Sequence, residues 1–211
     1  MGRLLVVWSC ALFVTLLAQP ASAEWYIAGQ VGGAFPSNLQ GLTGDQSNVG
    51  ATLTNVSLKM GPVFGGKLGV YSEEMKWLGM EIEAYQSLLK VKAQTYTRSQ
   101  SGTTTTGTLS ESSFNMTTIG LNLVVRYPGD SFQPYAGLGL GLFTPNTDST
   151  TQAGLNALAG LRYKFSQHFA LFGEGKYNRA TIDFRDPTNS SQLFQGTYSA
   201  VLFVAGLSIH F

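Results

Sequence analysis

Residues that could do chemistry are few, and their spacing is poor for it. Gly137-Leu138-Gly139-Leu140-Gly141 looks at first like a phosphate-binding loop. That loop needs a strand, a tight turn and a helix opening on the glycines. Here the glycines alternate with leucines inside a period-two stretch, so the run reads as one strand with small residues on one face. His168 and His210 are the only histidines, and the single cysteine is Cys10. Asp183 and Asp186 could approach a cation, but two carboxylates in a polar loop are ordinarily solvated. No cofactor and no metal site is expected.

The charged residues are more informative. Lys59, Lys67, Glu81, Glu83, Arg126, Arg162, Lys164, Glu174 and Lys176 all fall at one parity of period-two segments, opposite an apolar stripe. Folding the chain about Glu74 brings Lys67 opposite Glu81, and folding it about His168 brings Arg162 opposite Glu174. Opposite charges across antiparallel strands attract. In a narrow interior each charge must find a partner, because an unpaired buried charge costs several kcal/mol. These nine residues are therefore expected to form a charge network inside a barrel. The network either plugs and pins the lumen or lines a small ion pathway.

The elements that must carry them are strands. Eight period-two segments run over residues 24–36, 57–71, 77–91, 113–127, 132–143, 154–165, 169–182 and 197–211. Each is long enough to cross a membrane as a barrel strand, which takes about 9–11 residues. Ser72 to Lys76, Pro128 to Ser131 and Ser166 to His168 are short turns. Residues 37–56, 92–112, 144–153 and 183–196 are longer polar loops. This alternation marks outer-membrane barrels, with the turns periplasmic and the loops outside. The run from Ser99 to Thr108, rich in Thr, Ser and Gly, has no apolar residue to pack and is expected to be mobile. Pro62 and Pro134 cannot donate to a ladder and read as strand starts or bulges.

Composition agrees with a lipid-facing wall. Hydrophobic residues make up 44% and charged residues only 12%, about half the charge of an ordinary soluble domain. Residues 1–23 read as a cleaved secretory signal: Arg3, then the apolar stretch Leu4 to Ala18, then Ala21-Ser22-Ala23. Residues 24–211 form one domain. Without Arg3 its 13 basic residues become 12, equal to its 12 acidic ones, so no basic excess attracts nucleic acid. The apolar faces, for example Ile119, Leu121, Leu123 and Val125, should point to lipid. Trp25, Tyr127, Phe132, Tyr163, Phe165, Phe169 and Phe211 gather at the short-turn ends as an interfacial girdle.

The signal, the eight segments and the terminal Leu207-Ser208-Ile209-His210-Phe211 resemble the small outer-membrane β-barrel family, which includes the OmpA-like transmembrane domain, OmpX and the opacity-type surface proteins. The resemblance implies an all-β fold, an eight-stranded antiparallel up-and-down transmembrane β-barrel, in the cell outer membrane. It also implies that Leu207, Ile209 and Phe211 form an insertion signal read by the barrel assembly machinery. The expected surroundings are the outer-membrane bilayer, with the chain as a monomer. Some barrels of this kind deacylate lipid A with a His and a Ser two residues apart on a strand. Ser166–His168 and Ser208–His210 have that spacing in the opposite order and at the periplasmic end. The expected role is therefore non-enzymatic, structural or surface-interacting. A small-capacity channel is the alternative, with a lipid A-modifying enzyme behind it. If the terminal residue is an insertion signal, deleting Phe211 will lower the folded amount in outer-membrane fractions, read by heat-modifiability on a gel; unchanged folded yield would refute this.

Overall fold

A computed structural model describes residues 23–45, 51–53, 56–146, 151–185 and 193–211. Nearly all of the expected leader, and Asp186, lie outside the described residues. Thirteen strands are present among them: β1 (Glu24–Pro36), β2 (Gln40–Asp45), β3 (Thr52–Leu53), β4 (Leu58–Lys59), β5 (Gly61–Tyr71), β6 (Leu78–Val91), β7 (Gln94–Gln100), β8 (Thr103–Leu109), β9 (Ser112–Arg126), β10 (Phe132–Pro145), β11 (Gln152–Lys164), β12 (Phe169–Arg185) and β13 (Leu193–His210).

Eight of these form the wall in the order β1-β5-β6-β9-β10-β11-β12-β13, each antiparallel to its neighbours, and β1 pairs with β13 to close the ring. The seam runs continuously from Tyr26↔His210 to Pro36↔Ala200. The wall is a closed eight-stranded antiparallel barrel, with its strands where the period-two segments lie. Pro62 is the second residue of β5 and Pro134 the third of β10, each at a strand start.

Side chains alternate strictly. In β9 the pattern from Phe114 to Arg126 puts Phe114, Met116, Thr118, Gly120, Asn122, Val124 and Arg126 inside, and Ile119, Leu121, Leu123 and Val125 outside. The same phase gives an outer surface of Leu138, Leu140, Leu155, Leu171, Phe203 and their neighbours. A continuous apolar surface of this kind is far larger than water-soluble monomers carry, and it suits hydrocarbon. At the short-turn end Tyr127, Phe132, Tyr163, Phe165, Phe169 and Phe211 are exposed, joined by Trp77. Phe132 lies 4.9 Å from Tyr163 between ring centroids, and Phe165 stacks with Phe169 at 6.3 Å.

The long-loop end departs from the expectation. The Ser99–Thr108 run is paired: β7 and β8 form a hairpin from Gln94↔Leu109 to Gln100↔Thr103. Thr is β-branched and suits a pleated strand even without apolar company. Ser101 and Gly102, both at positive φ, make the turn. The hairpin attaches to the barrel through β3 and β2, which continue the sheet from the upper part of β13. Leu39 and Leu42 are buried beneath this extension, where they join Leu89, Phe114, Met116, Phe143, Ile182 and Tyr198 in an apolar upper core.

Topology can be checked directly. A peptide tag inserted at Gly102, at the hairpin tip, will be reached by antibody on intact cells, whereas one inserted at Glu74 in the β5–β6 turn will be reached only after permeabilisation. The reverse pattern would invert the orientation.

Candidate functional site: the polar lumen

Below the apolar upper core the interior becomes polar. Parity places these residues, since every second position of a wall strand points inward. Lys67 of β5, Glu81 and Glu83 of β6, and Glu174 and Lys176 of β12 meet across the lumen. Lys67 Nζ lies 2.7 Å from Glu174 Oε2 and 3.3 Å from Glu81 Oε2. Lys176 Nζ lies 3.1 Å from Glu174 Oε1 and also pairs with Glu83. The result is an alternating chain, Glu81–Lys67–Glu174–Lys176–Glu83, that links strands far apart in the wall. The five side chains are almost wholly shielded from solvent.

Neutral donors complete the carboxylates. Tyr26 donates its hydroxyl to Glu81, and Tyr135 donates to Glu174 Oε2 at 2.8 Å. Asn156 and Asn122 donate to Glu83 Oε1 at 2.7 and 3.0 Å. Arg162 is the third cation, 1% exposed, with its guanidinium 4.4 Å above the Tyr26 ring and 5.4 Å from the Tyr135 ring. Lys67, Lys176 and Arg162 thus balance Glu81, Glu83 and Glu174, so this layer is neutral. Neutrality matters here because charges taken out of water are tolerated only when paired and hydrogen-bonded.

A second cluster closes the short-turn end around Glu24, the first residue of β1. Its carboxylate accepts from Arg126 Nη2 at 2.5 Å, from Lys164 Nζ at 2.8 Å and contacts His210 Nδ1 at 2.8 Å. One carboxylate on β1 therefore ties β9, β11 and β13 together. Tyr71 lies between the two clusters, with Arg126 3.6 Å over its ring and Arg162 5.7 Å from it.

The nine sequence-derived residues are sorted by this geometry. Six occupy the central layer: Lys67, Glu81, Glu83, Arg162, Glu174 and Lys176. Arg126 and Lys164 belong to the Glu24 cluster. Lys59 is not in the lumen, which corrects its assignment. The register changes by one residue between β4 (Leu58↔Val91) and β5 (Val63↔Ser87), so faces flip at Met60. Leu58 turns inward and Lys59 outward. Gly61 permits the close passage, since a Cβ there would lie 1.8 Å from the Leu88 carbonyl oxygen.

Two pairings are also corrected. Lys67 is opposite Glu83, not Glu81, and Arg162 is opposite Phe172, not Glu174. Each hairpin folds about a centre one residue from the expected one, which moves partners by two positions. An even slip leaves every side chain on its own face, so Lys67, Glu81, Arg162 and Glu174 still point inward although their cross-strand partners differ. Lys67 still reaches Glu81 diagonally. Arg162 finds aromatic rings instead of a carboxylate. Two inward glycines make room for rings from the adjacent strand. A Cβ at Gly69 would lie 2.3 Å from the Tyr26 ring, and one at Gly160 would lie 2.6 Å from Tyr135.

Glu24, Tyr26, Tyr71, Tyr135, Asn122 and Asn156 were missed. Their inward parity was legible, but uncharged residues and a strand-terminal acid gave no reason to single them out. The catalytic alternative can be judged from geometry. Ser208 Oγ lies 3.0 Å from His210 Nε2, and His210 Nδ1 contacts Glu24, an acid-His-Ser order. Ser208 is fully buried, however, and its hydroxyl points to the Ala170 carbonyl at 3.3 Å. The array ties the last strand to β1 and β12. Ser166 Oγ accepts from the backbone of His168 and Phe169 and shapes the turn. Among the described residues no three His, Cys, Asp or Glu side chains converge to hold a metal ion.

A family model described as outer membrane protein beta-barrel domain matches residues 8–211. No curated protein sequence matches the chain. Among solved structures the chain is similar in fold to Neisserial surface protein A, with a TM-score of 0.55, 18% identity, and coverage of 89% of this chain and 97% of that one. It is similar to the outer membrane protein OprG of Pseudomonas aeruginosa, with a TM-score of 0.54, 16% identity and coverage of 90% and 97%. The outer membrane protein AlkL matches at 0.50, 13% identity, and 92% of both chains.

The revised pairing is testable. Replacing Glu174 by Gln will destabilise the barrel by about 3 kcal/mol, because Lys67 and Lys176 keep their charge in a dry interior. In double-mutant cycles followed by urea unfolding and gel mobility, Lys67→Gln with Glu174→Gln will show a coupling energy of about 1–3 kcal/mol. Arg162→Gln with Glu174→Gln will couple more weakly. Equal coupling of the two pairs would contradict the network.

Proposed function

The chain belongs to the outer membrane protein β-barrel domain family and is an outer-membrane protein, and on that premise we propose that it is a closed, non-enzymatic barrel that anchors an exposed loop sheet and does not conduct. One observation carries this reading. The chain Glu81–Lys67–Glu174–Lys176–Glu83 crosses an interior that eight strands leave barely wide enough for side chains. An ion entering that layer must displace a side chain that is paired and shielded from solvent.

The layers on either side support it. Above, Phe114 and Phe143 lie 6.3 and 6.4 Å from Tyr198 by ring centroids. Below, Glu24 holds three strands at the rim. The role left to such a body is mechanical and presentational. The wall secures the sheet β2-β3-β7-β8 above the membrane, and surface interaction belongs to that sheet. Insertion would be guided by the barrel assembly machinery through Leu207, Ile209 and Phe211, which share the outward face, with Phe211 N donating to the Trp25 carbonyl at 2.9 Å.

A second reading, a small-capacity channel, draws on one feature. Arg162 Nε and Nη1, Tyr71 Oη and Gln30 Oε1 are buried without a hydrogen-bond partner, and polar atoms in that state favour a hydrated path. Conductance separates the readings. In a planar lipid bilayer the wild-type barrel will show no discrete single-channel steps, while Lys67→Ala with Lys176→Ala will show leakage. Regular steps from the wild type would reject the plug and favour the channel.

A further inference from the structure

The outer wall carries two features that the lumen does not use, and they lie in one column of strands. The first is a groove in the apolar surface. Gly66 and Ala84 are Cα partners on β5 and β6, both facing outward, and they form its floor. Ile27, Leu68, Ile82 and Ile119 stand around it, and the depression, open to the outside, has a volume of about 420 Å³. The second is a pair of cations at the long-loop end. The face flip at Met60 makes Lys59 a direct partner of Lys90, both pointing outward. Like charges so placed repel. Glu111 sits between them, paired with Lys59 and 3.2 Å from Lys90 Nζ. Hydrogen bonds from Lys59 and Lys90 hold its carboxyl below the ordinary carboxylate range. Two ammonium groups against one carboxylate leave an excess positive charge, and both lysines stay about half exposed, at 45% and 58%.

The spacing of the two features fits one class of molecule. Lys90 and Ala84 share the outward face of β6, six residues apart. At about 3.3 Å per residue that is about 20 Å along the strand. A barrel tilt of about 40° reduces it to about 15 Å of height, about half the thickness of a hydrocarbon core. A molecule spanning both would carry its anionic group at the membrane surface and its chain at mid-depth. Paired lysines act as point charges for phosphate, and the outward-facing groove admits only an apolar chain.

We propose that Lys59, Lys90 and the Gly66–Ala84 groove form a binding site for a phosphorylated glycolipid of the outer leaflet. Its phosphate takes the position that Glu111 holds between the two ammonium groups, and one acyl chain lies in the groove. The flip at Met60 is then a functional feature. Without it Lys59 would face the loop interior, and the lysines could not act on one headgroup.

The test uses protein purified from outer membranes into detergent. It is offered bisphosphorylated lipid A, dephosphorylated lipid A with the same acyl chains, or inorganic phosphate, and bound molecules are counted by native mass spectrometry. One phosphorylated lipid A will be retained per barrel, roughly tenfold more tightly than the dephosphorylated form. The double variant Lys59→Gln with Lys90→Gln will lose that preference. Glu111→Gln will strengthen binding of the phosphorylated form, whereas a purely structural ion pair would lose stability and gain no ligand. Ala84→Phe will weaken both lipids by filling the groove. Each variant is first shown folded by heat-modifiability. Equal retention of the two lipids, an unaffected double lysine variant, or displacement of the lipid by equimolar inorganic phosphate would overturn the site.

Discussion

Everything in this molecule follows from the need to leave no backbone amide unpaired in hydrocarbon. Water is absent there, and each orphaned N–H or C=O costs several kcal/mol. A sheet meets this demand only by returning on itself. The pairing of β1 with β13, unbroken from Tyr26↔His210 to Pro36↔Ala200, is therefore the contact on which the other seven depend. Closure with eight strands then fixes the interior diameter, and that diameter decides what the inward residues can be.

Closure also inverts the usual distribution of polarity. Leucines and phenylalanines cover the outside, and lysines, glutamates, asparagines and tyrosines fill the lower inside. A charged interior in so narrow a space stays stable only when its charges sum to zero locally. The central layer does this with three carboxylates and three cations; Asn122 and Asn156 take the Glu83 oxygen that Lys176 leaves free, while Tyr135 shares Glu174 Oε2 with Lys67. The Glu24 cluster uses the same logic with a different purpose. A single acid at the start of β1 meets Arg126, Lys164 and His210, so the first residue of the wall is bonded to three strands that are remote in sequence. The barrel is held circumferentially by its ladders and diametrically by its ion pairs.

The long-loop end obeys a different rule because water is available there. Backbone groups can be satisfied by solvent, so the sheet is free to leave the cylinder. Beside the upper part of β13 it adds β2, β3, β7 and β8, built largely from threonine, serine, glycine and glutamine. At the same level the register slips by one at Met60 without penalty, and that slip turns Lys59 to the outer surface. Irregularity is confined to the part of the molecule where hydration makes it cheap.

The sequence by itself determined the eight strands of the wall, their inward and outward faces, the short turns and the aromatic girdle. All of these rest on a period of two and on turn composition, which are local properties of the chain. Except at Lys59, it also indicated which charged residues point inward, because an error of two positions in a hairpin preserves parity. Only the tertiary structure decided who meets whom. Lys67 pairs with Glu174, 107 positions away, through the curvature of the closed wall, and no hairpin register encodes that distance. Arg162 rests among Tyr26, Tyr71 and Tyr135 because four strands bring them to one height. Lys59 left the lumen through a one-residue bulge that the apolar pattern does not mark, and the threonine run became a hairpin because β2 and β3 supplied an edge to join. Each of these depends on contacts between strands distant in sequence, and such contacts exist only once the ring has closed.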